Sequence, residues 1–323
     1  MPHDDIAHVG RTNATLRFLG AGAAAGASEG ASLQQTLTGH ASEVHSLAVW
    51  HSPIGATGND NQSLLCSCDD DATIRLWRRS VGTAGGACEA SGSSEVVEAA
   101  GQLLRGHSQS VRALTTWRDW LVSASSDKRV ILWRRTPQGT GGGNGGNRSV
   151  GGDGDSDGAG AGAGYSDGNG DAGDSGGGEA IAVVHATLKF HKDEVTSLAT
   201  WGEWLCSGSN DNTCCIWRCG EDGNEVSPIQ ALGHTHWVVG LGSWGHFLVT
   251  VSDEKIRLWR RDGGGGSESE GGEAGRRSGS GSPRPTAGAT QELVGHGNDV
   301  LALATWDGDL CSGSRDMTIC VWR

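Results

Sequence analysis

One string of residues, read five times along the chain, constrains its fold more than any other feature. The clearest copy runs GHGNDVLALATWDGDLCSGSRDMTICVW from Gly295 to Trp322. After His296, Val300 stands four residues on, Leu303 seven and Trp306 ten; a two-residue turn, Asp307-Gly308, then leads to a second short apolar run, and Asp316 precedes Trp322 by six. The same offsets recur after His40, His107, His191 and His234, and each copy closes on Asp-x5-Trp: Asp71/Trp77, Asp127/Trp133, Asp211/Trp217 and Asp253/Trp259. Coincidence at six positions in five copies requires five copies of one supersecondary unit.

Each unit reads as strands. Val and Leu alternate with polar residues ahead of the first Trp, as in a half-buried strand. Four of the first turns have two residues, Arg118-Asp119, Gly202-Glu203, Gly245-His246 and Asp307-Gly308, which is hairpin length. The closing run, such as Ile74-Arg75-Leu76-Trp77, is β-branched and aromatic. A fourth strand is expected before each His: Gln102–Arg105, Ala186–Lys189, Gln230–Leu232 and Gln291–Val294. Four short antiparallel strands make one propeller blade.

This arrangement resembles the WD40 repeat family. The resemblance covers five repeats within residues 33–323, and it implies an all-β propeller that binds other proteins without catalysis. It departs from the family in one place: Arg78, Arg134, Arg218, Arg260 and Arg323 follow the closing Trp, where the family usually has Asp. The run from Trp306 through Leu310-Cys-Ser-Gly-Ser314 to Asp316 is similar to propellers of F-box/WD and RING/WD ubiquitin ligases and of plant zinc-finger/WD proteins. Substrate recognition in a ligase assembly is therefore an alternative reading, although no F-box, RING or zinc-finger segment is visible.

Composition narrows the partners. The net charge of −13 opposes general affinity for nucleic acid or an anionic membrane. No apolar run approaches the length of a membrane span, and Met1–Gly10 lacks the apolar core of a signal peptide. Cys66, Cys206 and Cys311 share one position, eleven before the closing Trp, and read as small buried apolar residues rather than disulfide partners. Cytosol or nucleus is the expected location, as a monomer or as part of a larger complex.

Spacing shows where the chain is padded. Trp217 to Trp259 is 42 residues, whereas the intervals ending at Trp133, Trp217 and Trp322 are 56, 84 and 63. The excess lies in Gly/Ser/Asp/Glu segments at about 80–100, 136–180 and 262–289, too poor in apolar residues to offset the entropy of ordering. Each falls between third and fourth strands, and His51–Ser63 falls between first and second, so all of the padding should emerge on one face of the disc. The opposite face, free of inserts, is the expected partner surface. Within residues 1–32, Asn13–Leu19 lines up with Asp71–Trp77 and reads as a decayed closing strand of a preceding repeat. Five and a half units suit either a five-bladed ring, with Gln34–Thr38 completing the last blade, or part of a ring of six or seven.

The repeats supply His, Ser, Asp and Trp in the proportions of a hydrolase triad, yet five-fold repetition points to structure. The resemblance implies a hydrogen-bonded tetrad in each blade: His40, Ser67, Asp71 and Trp77; His107, Ser123, Asp127 and Trp133; His191, Ser207, Asp211 and Trp217; His234, Asp253 and Trp259, with Val249 at the serine position; and His296, Ser312, Asp316 and Trp322. An enzyme built on the propeller scaffold would show a single non-repeated polar cluster on the channel, and none stands out. Cys214, Cys215 and Cys219 lack zinc spacing, no phosphate-binding glycine motif occurs, and no cofactor or metal is expected. Recognition should fall where the repeat varies: Glu43, Glu194, Trp237 and Asp299 three residues after the His, and Asp70, Asn210 and Arg315 before the turn Asp. Trp237 is the large aromatic among them and suits a binding anchor. On the insert face, the arginines after each closing Trp could form a basic ring for RNA, which is the third reading.

Overall fold

The computed structural model describes residues 16–21, 31–51, 62–81, 95–136, 181–221, 223–261 and 287–323. Most of the Gly-rich inserts lie outside these residues. Twenty-one strands follow in order, all paired antiparallel. A two-stranded sheet, β1 (Leu16–Ala21) and β2 (Ala31–Leu37), precedes blade one, β3 (Ser46–Trp50), β4 (Leu64–Cys68), β5 (Thr73–Val81) and β6 (Glu95–Arg105). Blade two holds β7 (Val111–Trp117), β8 (Trp120–Ser125), β9 (Arg129–Arg135) and β10 (Ala182–Lys189). Blade three holds β11 (Val195–Trp201), β12 (Trp204–Ser209), β13 (Thr213–Cys219) and β14 (Val226–Gly233). Blade four holds β15 (Gly240–Trp244), β16 (Phe247–Ser252), β17 (Lys255–Arg261) and β18 (Ala287–Leu293). Blade five has three strands, β19 (Val300–Trp306), β20 (Asp309–Ser314) and β21 (Ile319–Trp322).

The fourth strands are longer than their apolar cores suggested. Glu95–Ala100 and Ala287–Ala289, assigned to padding by composition, pair with the outer ends of β5 and β17. Backbone ladders tolerate such polar sequence because an outermost strand needs only one hydrogen-bonding neighbour. Nor does Gln34–Thr38 complete blade five, because β2 pairs with β1.

The core lies between blades rather than within them. Trp50, Ile74 and Leu76 of blade one pack with Leu114, Leu121, Ile131 and Trp133 of blade two, and the next two junctions repeat the arrangement. Each large side chain so buried contributes about 1.5–3 kcal/mol. A hydrogen bond fixes every junction as well. The indole N–H of the first-strand Trp donates to a turn carbonyl of the next blade: Trp50 to Asp119, Trp117 to Glu203, Trp201 to His246 and Trp244 to Gly308, at 2.7–3.0 Å. In two of the repeats the glycine before the His has a steric origin. A Cβ on Gly295 would lie 2.7 Å from the Trp322 ring, and one on Gly106 would lie 3.0 Å from Trp133.

Candidate partner-binding face

Blades two, three and five contain the tetrad in full. In blade three the Trp217 indole donates to Ser207 Oγ at 2.9 Å, Ser207 Oγ lies 2.7 Å from His191 Nε2, and His191 Nδ1 lies 3.0 Å from Asp211 Oδ2. A carboxylate can only accept, so Nδ1 carries the proton and Nε2 accepts from the serine hydroxyl. Blade two repeats the chain through Trp133, Ser123, His107 and Asp127, and blade five through Trp322, Ser312, His296 and Asp316. The carboxylate also accepts from the backbone, as Asp127 does from Ser108 and Arg129. Burial pushes the Asp127 carboxyl up, but the His107 proton and those two amides outweigh it and hold it below the usual range. His191 is kept neutral mainly by burial, against the opposing pull of Asp211. Ser67, Ser123 and Ser207 are 0% exposed. A hydroxyl sealed from solvent and committed on both sides cannot act as a nucleophile, and the triad resemblance ends there.

Two blades depart from the expected set. In blade one, Asp69 rather than Asp71 faces His40, with Oδ2 3.0 Å from Nδ1, while Ser67 still joins His40 to Trp77. Asp71 instead caps its own turn, accepting from the Thr73 amide and hydroxyl. Three consecutive aspartates, Asp69 to Asp71, gave the spacing rule more than one carboxylate to choose from. In blade four the hydroxyl belongs to Thr250, which accepts from Trp259 at 2.9 Å and lies 2.8 Å from His234 Nε2; Val249 is not the counterpart. Asp253 takes no part in the tetrad. The left-handed residue of this turn is Asp253 itself (φ 63), where the other blades place the residue after the aspartate: Ala72, Lys128, Asn212 and Met317. The blade-four turn is therefore one residue short, and Ser252 pairs with Lys255 across it. His234 Nδ1 turns to the Leu232 carbonyl at 3.2 Å. Burial, aided by Arg257, lowers its pKa to about 4.

The His loops and the second–third turns share one face, knitted by backbone bonds. Within a blade, Asn210 donates to Glu194 and Arg315 to Asp299; between blades, Val111 donates to Asp69, Val238 to Ser209 and Val300 to Asp253. On this face Trp237 is 60% exposed, while the adjacent Val238 is fully buried. Glu43 and Asp70 are exposed, and Glu194 and Asn210 are half-buried. Asp299 and Arg315 face each other at 3.5 Å.

Asp70 is the centre of a polar cluster that no other blade repeats. Its Oδ1 lies 2.6 Å from His45 Nε2, accepts from Ser110 Oγ of blade two, and lies 3.8 Å from Arg112 Nη1. Arg112 Nε also donates to Ser126. The hydrogen bonds from Ser110 and His45 hold the Asp70 carboxyl below its usual range. This cluster, at the junction of blades one and two on the face of His loops, was not foreseen from the sequence. The missed signal is the residue five after each His: His45 and Arg112, against Thr196, Val239 and Leu301 elsewhere.

On the opposite face some arginines turn back onto the blades, while Arg134, Arg218 and Arg260, directly after their closing Trp, are exposed. Arg135 lies over the Trp50 ring at 5.3 Å and donates to the carbonyls of Gln62 and Trp50. Arg261 lies 4.6 Å from the Trp204 ring. Arg78 pairs with Glu98 and Arg323 with Asp309. Several of the arginines therefore act as clamps on neighbouring side chains and strands. Among the described residues no group of three or more His, Cys, Asp or Glu is placed to hold a metal ion.

No curated protein matches the chain. A family model described as WD domain, G-beta repeat matches residues 31–78, 100–134, 183–218, 226–260 and 289–323, together more than half of the sequence. With its blades, junction tryptophans and His–Ser–Asp–Trp tetrads, the chain belongs to the WD40 repeat family.

Proposed function

We propose that this chain is a non-catalytic recognition module that holds another protein on the face of His loops and second–third turns. The observation that carries the reading is Trp237, a large aromatic 60% exposed on a face whose neighbouring apolar residue is buried. Exposed aromatics ringed by polar groups are the usual anchors of protein interfaces. The cluster of Asp70, His45, Ser110 and Arg112 on the same face adds fixed donors and acceptors that would select orientation. The inward commitment of Arg135 and Arg261, and the net charge of −13, favour a protein over RNA.

The test is capture by immobilised protein with quantitative mass spectrometry. Trp237→Ala should lose the captured partner, while Glu43→Ala and Asp299→Ala weaken capture less. Arg78→Ala and Arg134→Ala should capture as wild type does at physiological salt. Dominance of the arginine variants, growing as salt falls, would move the site to the other face and revive nucleic acid as the partner.

A further inference from the structure

Trp237 is held in place by its neighbours in the chain. The Ser252 hydroxyl donates to the His236 carbonyl at 2.9 Å, and Thr196 Oγ1 donates to the Val238 carbonyl at 2.6 Å. The Val238 amide donates to the Ser209 carbonyl at 3.0 Å, and the Val238 side chain is fully buried. The backbone on both sides of Trp237 is therefore tied to blades three and four, yet the indole is 60% exposed. The rings and guanidinium groups of these blades meet Trp201, Trp204 and Trp259, and among the described residues none lies against Trp237. An aromatic fixed in this way loses little freedom when a partner covers it.

The charge beside Trp237 is acidic and uncommitted. Glu194 lies in the His loop of blade three, and its carbonyl accepts from the amide of Asn210, the neighbour of Ser209. Glu194 and Trp237 thus flank one turn, Ser209-Asn210. The bases on the adjoining turns are already paired, Lys255 with Glu292 at 3.1 Å and Arg315 with Asp299 at 3.5 Å. Asp193 is turned to the Glu194 amide at 2.9 Å, and Asp253 lies 3.6 Å from His236. Among the described residues the carboxylates of Glu194 and Glu254 have no hydrogen-bond or ion-pair partner. Lys192 is the exposed base of the same loop, with Asp193 beside it to offset its charge. Two residues beyond Trp237, Val239 is 40% exposed.

An open indole face, a free carboxylate and a short apolar wall are together the complement of one side chain. A guanidinium is flat enough to stack on an indole, presents a fork of N–H donors to a carboxylate, and follows a methylene stem that packs on apolar surface. An ammonium would carry the charge without stacking, and an apolar side chain would bury the Glu194 carboxylate unpaired. We propose, on the reading of this face as the partner surface, that Trp237 receives an arginine side chain of the partner protein. Its guanidinium lies over the indole, its N–H groups reach Glu194, and its stem runs along Val239. The net charge of −13 steers a basic segment toward the chain.

The test uses a random-peptide phage library, selected on the full-length wild-type chain and depleted on Trp237→Ala. The surviving peptides should carry arginine. A fluorescent synthetic copy, read by anisotropy at physiological salt, should lose about tenfold in affinity when that arginine becomes citrulline. Glu194→Gln should weaken the arginine peptide by a similar factor and leave the citrulline peptide unchanged. Glu203→Gln, an equal change of charge at an exposed residue of the insert face, should alter neither. Survivors without arginine, or survivors whose citrulline or lysine forms bind equally well, would overturn the arginine site and leave Trp237 as an anchor for another chemistry. Equal losses from Glu194→Gln and Glu203→Gln would overturn it too, since the affinity would then come from net charge. Selection of the same peptides on wild type and on Trp237→Ala would overturn the reading of the face itself.

Discussion

Asp127→Ala and Asp253→Ala make a matched pair, because the sequence repeat places both carboxylates at one position and the structure separates them. Asp127 accepts from His107 Nδ1 at 2.9 Å and from the Ser108 and Arg129 amides at 3.0 Å. The His107 and Asp127 side chains are 1% and 3% exposed, so the alanine variant strands a buried donor that water cannot reach. One such loss costs about 1–3 kcal/mol. Asp253 has only His236 nearby, at 3.6 Å, with both side chains partly exposed. Exposed pairs contribute about 0–1 kcal/mol. Urea unfolding followed by tryptophan fluorescence should therefore show a lower midpoint with unchanged slope for Asp127→Ala and little change for Asp253→Ala. In thermal melts, about 2–4 °C per kcal/mol is expected for a domain of this size. Thr250→Val, which strands the Trp259 indole, should resemble Asp127→Ala. Equal losses for Asp127→Ala and Asp253→Ala would refute the reasoning and restore the register read from spacing.

Blade one allows a parallel comparison: Asp69→Ala should lower the urea midpoint more than Asp71→Ala, because Asp69 is buried against His40 and Asp71 caps a partly exposed turn. The folded pKa of His234, about 4, lies below its ordinary 6.5, so the unfolded chain binds the proton more readily. Its contribution is complete above pH 6.5 and is lost as pH falls toward 4; His234→Gln should flatten that part of the stability–pH curve relative to wild type. Arg135→Ala removes a guanidinium over Trp50 and two carbonyl hydrogen bonds, with an expected cost of about 1–3 kcal/mol in the same unfolding assay.

The fold was legible because its determinants are local and repeated. Hairpin length, the period-two alternation ahead of each first Trp and the Gly that clears the closing Trp can each be read within one unit. The candidate site was legible only in part, for reasons visible in particular residues. Trp237 and Asp70 could be named because they vary where the scaffold does not. The neighbours of Asp70 could not, since Ser110 and Arg112 come from the next blade and meet it across a junction some 40 residues away in sequence. The blade-four tetrad was misread because losing one turn residue kept Asp253 six before Trp259 while shifting the hydroxyl to Thr250. Spacing counts residues, whereas the tetrad depends on which side chain the turn aims at the histidine. The behaviour of the second arginine after a closing Trp was not legible either, for a related reason. Charge after a closing Trp says nothing about direction, and the Arg135 and Arg261 side chains fold back over tryptophans.

The two blades that break the tetrad rule are also the two that carry the unusual surface residues, and one physical argument connects these facts. In blades two, three and five the turn aspartate is fixed by its histidine, and the residue before it is Ser126, Asn210 or Arg315. In blade one the role passes to Asp69, two residues earlier. Asp70 is thereby left on the outside of the turn with no partner inside its own tetrad, free to join His45, Ser110 and Arg112. In blade four the shortened turn takes the carboxylate away from His234 altogether. Asp253 then sits beside His236, the residue before Trp237. A histidine without its carboxylate loses a stabilising partner, and departures of that kind from a repeat are where a functional constraint is expected. The three regular blades therefore hold the arc, and the two irregular ones present the Trp237 and Asp70 neighbourhoods on the face free of inserts.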